Sequence, residues 1–424
     1  MIDLKYLREN PDVIRNDLEK RRDFEKKTWV DEILHDDEEY RTLLNDSQAL
    51  RQKRNEVSKK VSEGKKKGEN VDALMQEAKE IPKKLNEIET KVEKLLSNIK
   101  SKLMRLPNIL DESVPIGETE EENVEVEQIN PKPEFDFEPI SHAELVEKLD
   151  LADLERAAKI TGARFYFLKG DLALLDLALQ RYAVDFMTKK DFELIIPPHM
   201  MNRKAYEGVT DLDDFENVMY NVQPDNFYMI ATSEHPLTAM YMNEILEEKQ
   251  LPIKMVGLSH CFRREVGAHQ GDKGIWRVHQ FTKVEQIVLC KPEESEKFHD
   301  DLLNNAKDFF TSLKLHFRVV SICTADMGTV AAKKFDLEAW IPSLKTYKEV
   351  VSCSNCTAYQ ATRLGIRYRS SDGNKTLHTL NSTCVATSRA LAAIIEQYQN
   401  KNGTIDIPEV LQPYMNGKKT IGLN

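Results

Sequence analysis

The sequence is short of several things, and each shortage excludes a class. No run of eighteen apolar residues occurs among its 424 positions, so nothing in it would cross a bilayer as a helix. Its opening, MIDLKYLRENPDVIRNDLEKRR, alternates charged with apolar residues and lacks the apolar core of a secretory signal, so secretion is not expected and the location expected is cytoplasmic. Cysteine is scarce: Cys261, Cys290, Cys323, Cys353, Cys356 and Cys384 are spread without the dense spacing of a disulfide scaffold and read as reduced thiols. There is no internal repeat, no glycine-rich P-loop and no Gly-x-Ser-x-Gly elbow, so neither a solenoid nor a serine-nucleophile hydrolase is signalled.

Charge is abundant, at 31% of residues with a net charge of −11, but it is unevenly placed. Residues 1–100 hold 23 basic and 23 acidic side chains; the remainder holds 37 against 48. The acidic balance argues against nucleic acid as a general partner, yet the first segment escapes it. Between Arg51 and Lys67, RQKRNEVSKKVSEGKKK places eight cations against Glu56 and Glu63.

That basic stretch sits on a helical pattern. Ile81, Leu85, Ile88, Val92, Leu95, Ile99, Leu103 and Leu106 recur at steps of three and four, a heptad seam. A rougher seam precedes it: Val30, Ile33, Tyr40, Leu44, Leu50, Val57 and Val61, interrupted at Asp37 and Ser47. The two predict an antiparallel coiled-coil arm over 28–106, turning at Gly64–Gly68. Limbs of roughly 35 residues rising about 1.5 Å each give a length on the order of 50 Å. A dimerising coiled coil and an arm that meets a phosphate backbone both fit it. Residues 3–22 predict two shorter helices, the second opened by Pro11.

Beyond Pro107 the seam stops. The domain division expected is a unit over 1–110 that carries the helical arm, an acidic, proline-punctuated linker over 111–139, and a larger unit over 140–424. In the last, short runs rich in Ile and Val, such as FELIIPP (192–198), IKMVGL (253–258) and FRVVSI (317–322), stand among helical stretches without a regular βαβ beat. The fold class expected is α+β, with a mainly antiparallel sheet flanked by helices.

Three segments of this unit carry chemistry. In FYMIATSEHPLT an apolar run ends at Thr232, Ser233 and Glu234, a carboxylate beside hydroxyls suited to an ammonium or hydroxyl group. In CFRREVGAHQGDKGIWRVHQFTKVE, Arg263 and Glu265 would share a strand face, and the glycine-rich middle would join two strands. The return strand would put Arg277, His279, Phe281, Lys283 and Glu285 on one face and Val278 on the other: a cation, a flat ring and a carboxylate in line. In LNSTCVATSRALAAIIEQY, a small polar strand runs into a helix with Arg389 near its start, where a helix terminus favours anions. Glu349 and Ser352 in YKEVVSCSNC offer hard oxygens for Mg²⁺.

Together these segments resemble a seryl-tRNA synthetase, a class II aminoacyl-tRNA synthetase, over essentially the whole chain. FELIIPPHM resembles motif 1, CFRREVG with GIWRVHQFTKVE motif 2, and LNSTCVATSRALAAIIE motif 3; the TSE triplet and the heptad arm are the serine-specific additions. The form resembled is the widespread bacterial and archaeal one, not the methanogen form that grips serine with zinc. The resemblance implies ATP-dependent attachment of L-serine to tRNA(Ser) through a seryl-adenylate, by a cytoplasmic homodimer whose arm crosses to a tRNA on the other subunit. Selenocysteine tRNA is a further acceptor compatible with the family.

By matching position, the resemblance implies that Arg263 meets the α-phosphate and Glu265 the adenine amine. Phe281 stacks on adenine, with Val278 beside it among the ATP-facing positions. Arg277 and Arg389 clamp the terminal phosphates, and Glu349 and Ser352 bind Mg²⁺. Thr232, Glu234, Glu285 and Thr383 form the serine pocket with Asn381 beside it. On the arm, Arg51, Lys53, Arg54, Lys59 and Lys60 would meet tRNA phosphates. Asp191 departs from the family, which often has glycine there. Cys353 and Cys356 form only half of a zinc site, so no zinc is expected.

Overall fold

Asp3 accepts a hydrogen bond from the Tyr6 N–H to open the first helix, Leu4–Glu9, and Pro11 stands at the first position of the second, Pro11–Lys20. Asp23 then caps a 44-residue helix, Phe24–Lys67, by accepting from the Lys26 N–H. The computed structural model describes residues 1–213, 215–265 and 274–422, which form two units, Ile2–Leu106 and Pro107–Asn424. In the first unit the long helix runs through Gly64, a residue the sequence pattern puts in the turn, and ends at Gly68, whose φ of +72° closes it in the left-handed region. Gly64 serves close approach instead: a Cβ there would lie 2.6 Å from Val71 Cγ1 on the returning chain. The second limb is Asp72–Leu103.

The seam packs as its spacing predicts, with Val30, Ile33, Val57, Ile81, Leu85, Ile99 and Leu103 buried. Its polar interruption at Asp37 is also buried, and is compensated. Arg8 Nε lies 2.8 Å and Arg41 Nε 3.0 Å from Asp37 Oδ2, so the carboxylate meets two guanidinium groups instead of a void.

The second unit is built on an eight-stranded sheet. Its order is Val124–Ile129, Phe317–Ser321, Lys333–Ile341, Thr346–Asn355, His378–Ala386, Gln280–Cys290, Ile253–Phe262 and Glu193–Ile195. Neighbours are antiparallel except the last pair, which is parallel. The helices Gly170–Thr188, Ser295–Ser312 and Thr387–Gln397 contribute Leu175, Leu179, Phe309, Phe310, Leu391 and Ile394 to one continuous core with the sheet's Val288 and Val385. The class is α+β, as the strand and helix patterns indicate.

The acidic stretch 111–139 is not a bare linker. It supplies the edge strand Val124–Ile129, registered from Val124 opposite Ser321 to Ile129 opposite Phe317. Glu125 pairs with Arg318 at 3.2 Å and Glu127 with Lys307. Charged side chains on an edge discourage further strand addition, which gives the acidic composition a structural reason. Asp191, the departure in motif 1, has φ +62°, a backbone that glycine adopts freely and aspartate tolerates.

Candidate active site

The sheet positions the site through two irregularities. On a regular strand Glu349 and Ser352, three apart, would point to opposite faces. Between Thr346–Asn355 and its neighbour, however, Leu337 faces Val351 while Glu338 faces Glu349, so Val350 is an extra residue. That bulge turns Glu349 onto the face of Ser352. A second bulge lies where Val284 faces Val385 but Glu285 faces Thr383, leaving Cys384 extra. It brings Thr383 and Ala386 to one side, where both line the same cavity.

That cavity, about 440 Å³, is walled by residues from all three chemistry-bearing segments. Arg263, Phe281, Glu349, Ser352 and Arg389 line it together with Thr232, Glu234, Glu285, Asn381 and Thr383. Motif 2 is anchored on the sheet by Phe262 N–H donating to the Ile230 carbonyl at 2.8 Å and Arg263 N–H donating to that of His279 at 2.9 Å. The Arg263 guanidinium carbon is 5.2 Å from the centre of the Phe281 ring. Arg389, three residues into its helix, sits 3.0 Å from Glu349 Oε1; its charge, foremost, holds the Glu349 carboxyl below its ordinary range.

Four expectations fail in detail. Arg263 and Glu265 do not share a strand, because the strand ends at Phe262 and Glu265 takes φ +46°. Arg277 precedes the return strand, which begins only at Gln280, and pairs with Glu265 at 2.6 Å. His279 also precedes it and stacks on Phe165 with ring centres 5.0 Å apart. Val278 is buried with Cys261, Phe281 and Ala386, behind the wall. Glu265, Arg277 and Val278 are therefore not among the side chains lining the cavity. The strand alternation holds only from Phe281 onward, where Phe281, Lys283 and Glu285 do line it. The expected glycine-rich connection lies, over 266–273, outside the described residues.

At the other end of the cavity the charges are buried. Glu234 opens a short helix, Glu234–Ala239, in place of the strand end expected there. Burial, and after it the neighbouring Glu285 carboxylate, raise its pKa to about 7. Lys283 Nζ is 2.7 Å from Glu285 Oε2. Beneath Glu234, His235 Nδ1 is 2.9 Å from the Tyr206 hydroxyl, and burial followed by the Lys283 charge lowers the imidazole to about 3. It is a neutral strut.

Residues without a sequence signal of their own complete the wall. Lys334 lines the cavity. Asp336 lies opposite Ser352 in register, and its Oδ1 is buried without a hydrogen-bond partner. Glu349 and Ser352 are hard oxygen donors on one face with a carboxylate behind them, a donor set that fits Mg²⁺. Cys353 and Cys356 are both buried, and burial pushes both thiols up; among the described residues no group of three His, Cys, Asp or Glu could hold a metal. On the arm, Arg51 is paired with Glu89 at 3.0 Å, Lys53 with Glu77 at 2.6 Å and Lys59 with Glu63 at 4.0 Å. Arg54 and Lys60 have no ion pair among the described residues.

Comparison with known proteins meets this geometry. Residues 1–110 match the seryl-tRNA synthetase N-terminal domain, and residues 218–398 match the tRNA synthetase class II core domain (G, H, P, S and T). A serine–tRNA ligase of Methanocella arvoryzae is 54% identical over 98% of this chain and 99% of its own. That of Pyrococcus horikoshii is 46% identical over 99% of this chain and 98% of its own. The crystal structure of seryl-tRNA synthetase from Pyrococcus horikoshii complexed with ATP superposes with a TM-score of 0.94 at 45% identity, covering 99% of both chains. A cytoplasmic serine–tRNA ligase of Naegleria fowleri in complex with AMP gives 0.89 at 34%, covering 99% of this chain and 98% of that one.

Proposed function

Because the chain belongs to the seryl-tRNA synthetase family, we propose that it attaches L-serine to tRNA(Ser) in two steps, through a seryl-adenylate. The observation that carries this is the meeting, in one cavity, of a phosphate-type end (Arg263, Glu349, Arg389) and an ammonium- and hydroxyl-type end (Glu234, Glu285, Thr383). In the first step a serine carboxylate oxygen bonds to the α-phosphorus of ATP and the bond to the β-phosphate oxygen breaks, releasing pyrophosphate. In the second a 3′-terminal tRNA hydroxyl attacks the adenylate carbonyl, and AMP leaves. Neither step needs a side-chain nucleophile; the protein's part is to position reactants and stabilise charge.

Arg263, fixed by its backbone, meets the charge that grows on the α-phosphate, and Phe281 offers its ring to adenine. Arg389 takes the terminal phosphates. Glu349 and Ser352 would hold Mg²⁺, which would neutralise phosphate charge when bound. Glu265 and Arg277 are outside the cavity wall and paired with each other, so a role on ATP requires that pair to open; Val278 offers only its backbone. Glu285 and Glu234 receive the ammonium and hydroxyl with Thr232, Thr383 and Asn381. A pocket of polar groups that an alanine would leave unpaired discriminates strongly.

The arm binds tRNA by shape and phosphate. Recognition without base reading extends the proposal to selenocysteine tRNA. Homodimerisation has support in exposed apolar side chains that a second copy would cover: Leu174 and Leu177, one turn apart on the helix Gly170–Thr188, and Leu194 and Ile196 in motif 1. Serine-dependent exchange of pyrophosphate into ATP, run beside charging of both tRNAs, tests all of this. Exchange specific for serine and charging of tRNA(Ser) are expected. Exchange with another amino acid in place of serine would overturn the substrate, and tRNA charging without any exchange would overturn the adenylate.

A further inference from the structure

We infer that Gln360, which lies outside every motif singled out in the sequence, is the positioning residue that holds Glu234 for the amino acid. Gln360 is on the short helix Tyr359–Leu364 and is 1% exposed. Its amide makes three hydrogen bonds. Nε2 donates to the Val209 carbonyl at 3.1 Å and to Glu234 Oε1 at 2.8 Å, and Oε1 accepts from the Thr379 hydroxyl at 2.6 Å.

The two ends of an amide side chain are told apart only by their partners. Here the partners decide. The Val209 carbonyl can only accept, so the group facing it must be the NH₂ end. The same NH₂ end then necessarily faces Glu234, which must offer it a lone pair. One Glu234 oxygen is thus committed to the protein, and rotation of the carboxyl is stopped. Its other oxygen, Oε2, is the one left for a ligand in the cavity that Glu234 lines. Thr379 sets the amide plane from the far side. A carboxylate held this way needs no reorganisation when an ammonium or hydroxyl arrives, so the holding residue acts on amino-acid affinity and leaves ATP untouched.

This inference rests on Glu234 belonging to the serine pocket, and the test separates the two. Serine and ATP KM values in pyrophosphate exchange are measured for Glu234→Gln, Glu234→Ala, Gln360→Glu, Gln360→Met and the double variant Glu234→Ala/Gln360→Met. Gln360→Glu keeps shape and the acceptor for Thr379 but removes both N–H donors. It is expected to raise the serine KM about tenfold or more, with the ATP KM within about twofold, on the scale of a deleted charge-assisted hydrogen bond. Gln360→Met should do the same. The double variant should be no worse than Glu234→Ala alone, since Gln360 then has no acceptor left to hold.

A wild-type serine KM in Glu234→Gln would sink the pocket assignment itself. A raised KM there, beside a wild-type KM in Gln360→Glu, would overturn the role of Gln360 and leave the pocket standing. Independent, multiplying effects in the double variant, or an ATP KM that rises equally, would mean that Gln360 merely braces the fold. Should the Gln360 variants not fold, Thr379→Val removes only the hydrogen bond that orients the amide. A smaller rise confined to serine supports the inference, and no rise overturns it.

Discussion

Arg389 Nη1 stands 3.0 Å from Glu349 Oε1, so the cation proposed for the ATP phosphates and the carboxylate proposed for Mg²⁺ neutralise each other in this structure. MgATP would exchange that pair for two new ones, phosphate on the arginine and metal on the glutamate. Binding of nucleotide and binding of metal should therefore be coupled. Glu349→Gln is expected to move the Mg²⁺ midpoint of pyrophosphate exchange up by about tenfold while the serine KM stays within about twofold. Arg389→Met should lower exchange by about 10²–10³, the scale of removing a charge-stabilising donor. An unchanged Mg²⁺ profile in Glu349→Gln would reduce Glu349 to an anchor for Arg389.

Glu234 predicts how stability varies with pH. Its carboxyl ordinarily titrates near 4.5 and is raised to about 7 by burial first and Glu285 second. The unfolded chain releases this proton near pH 4.5, while the native protein keeps it until about 7. Stability from this group is thus fully present below 4.5, is lost as pH rises to about 7, and is flat above. Glu234→Gln, which cannot ionise, should gain on the wild type across that window, by on the order of 3 kcal/mol at most. Denaturant unfolding at pH 5 and pH 8 checks it: a difference that does not grow with pH would show that Glu234 is ionised in the native state.

Phe281 is 8% exposed, on the cavity wall and 5.2 Å from Arg263. Base–aromatic stacking is worth about 1–3 kcal/mol, so Phe281→Ala should raise the ATP KM by about tenfold or more and spare that for serine. The ring also packs on Cys261, Val278 and Ala386, so the truncation costs stability as well. Phe281→Leu retains most of the packing and gives up the stacking. Equal changes in both KM values would assign Phe281 to the core.

The arm is legible in the sequence because a heptad seam is a local pattern: each position predicts the next by a fixed step, and Val57, Ile81 and Leu85 are buried where that step puts them. Strand alternation is equally local, and it fails where the backbone stops being regular. Glu349 and Ser352 share a face only because Val350 is extra, and nothing in KEVVSC announces that bulge. Their donor chemistry and the family resemblance pair them where spacing alone would separate them. Alternation also carries Arg277 onto a strand that has not yet begun. Gln360 and Asp336 leave no trace, since a buried amide or carboxylate looks in sequence like any polar surface residue. The stretch 111–139 misleads because an acidic edge strand and an acidic linker have the same composition.

The last prediction concerns the arm, Phe24–Lys67 and Asp72–Leu103. Among the described residues, every side chain lining the candidate active cavity belongs to residues 209–389. Shortening the hairpin around Gly64–Gly68 should therefore leave serine-dependent pyrophosphate exchange near wild type, while tRNA charging falls steeply. The ion pairs rank the cations. Arg51 and Lys53 already bridge the limbs to Glu89 and Glu77, so replacing them weakens the hairpin as well as removing charge. Arg54 and Lys60 are uncommitted among the described residues, and Arg54→Gln with Lys60→Gln should weaken tRNA binding with little effect on melting. Removing one phosphate-binding cation should flatten the log–log dependence of binding on salt by about 0.7–0.9. A purely dimerising coiled coil predicts otherwise: the shortened protein would sediment as a monomer, and exchange and charging would fail together. Sedimentation beside the two assays decides. A monomer, or a salt slope that survives both glutamine substitutions, would end the tRNA reading of these residues.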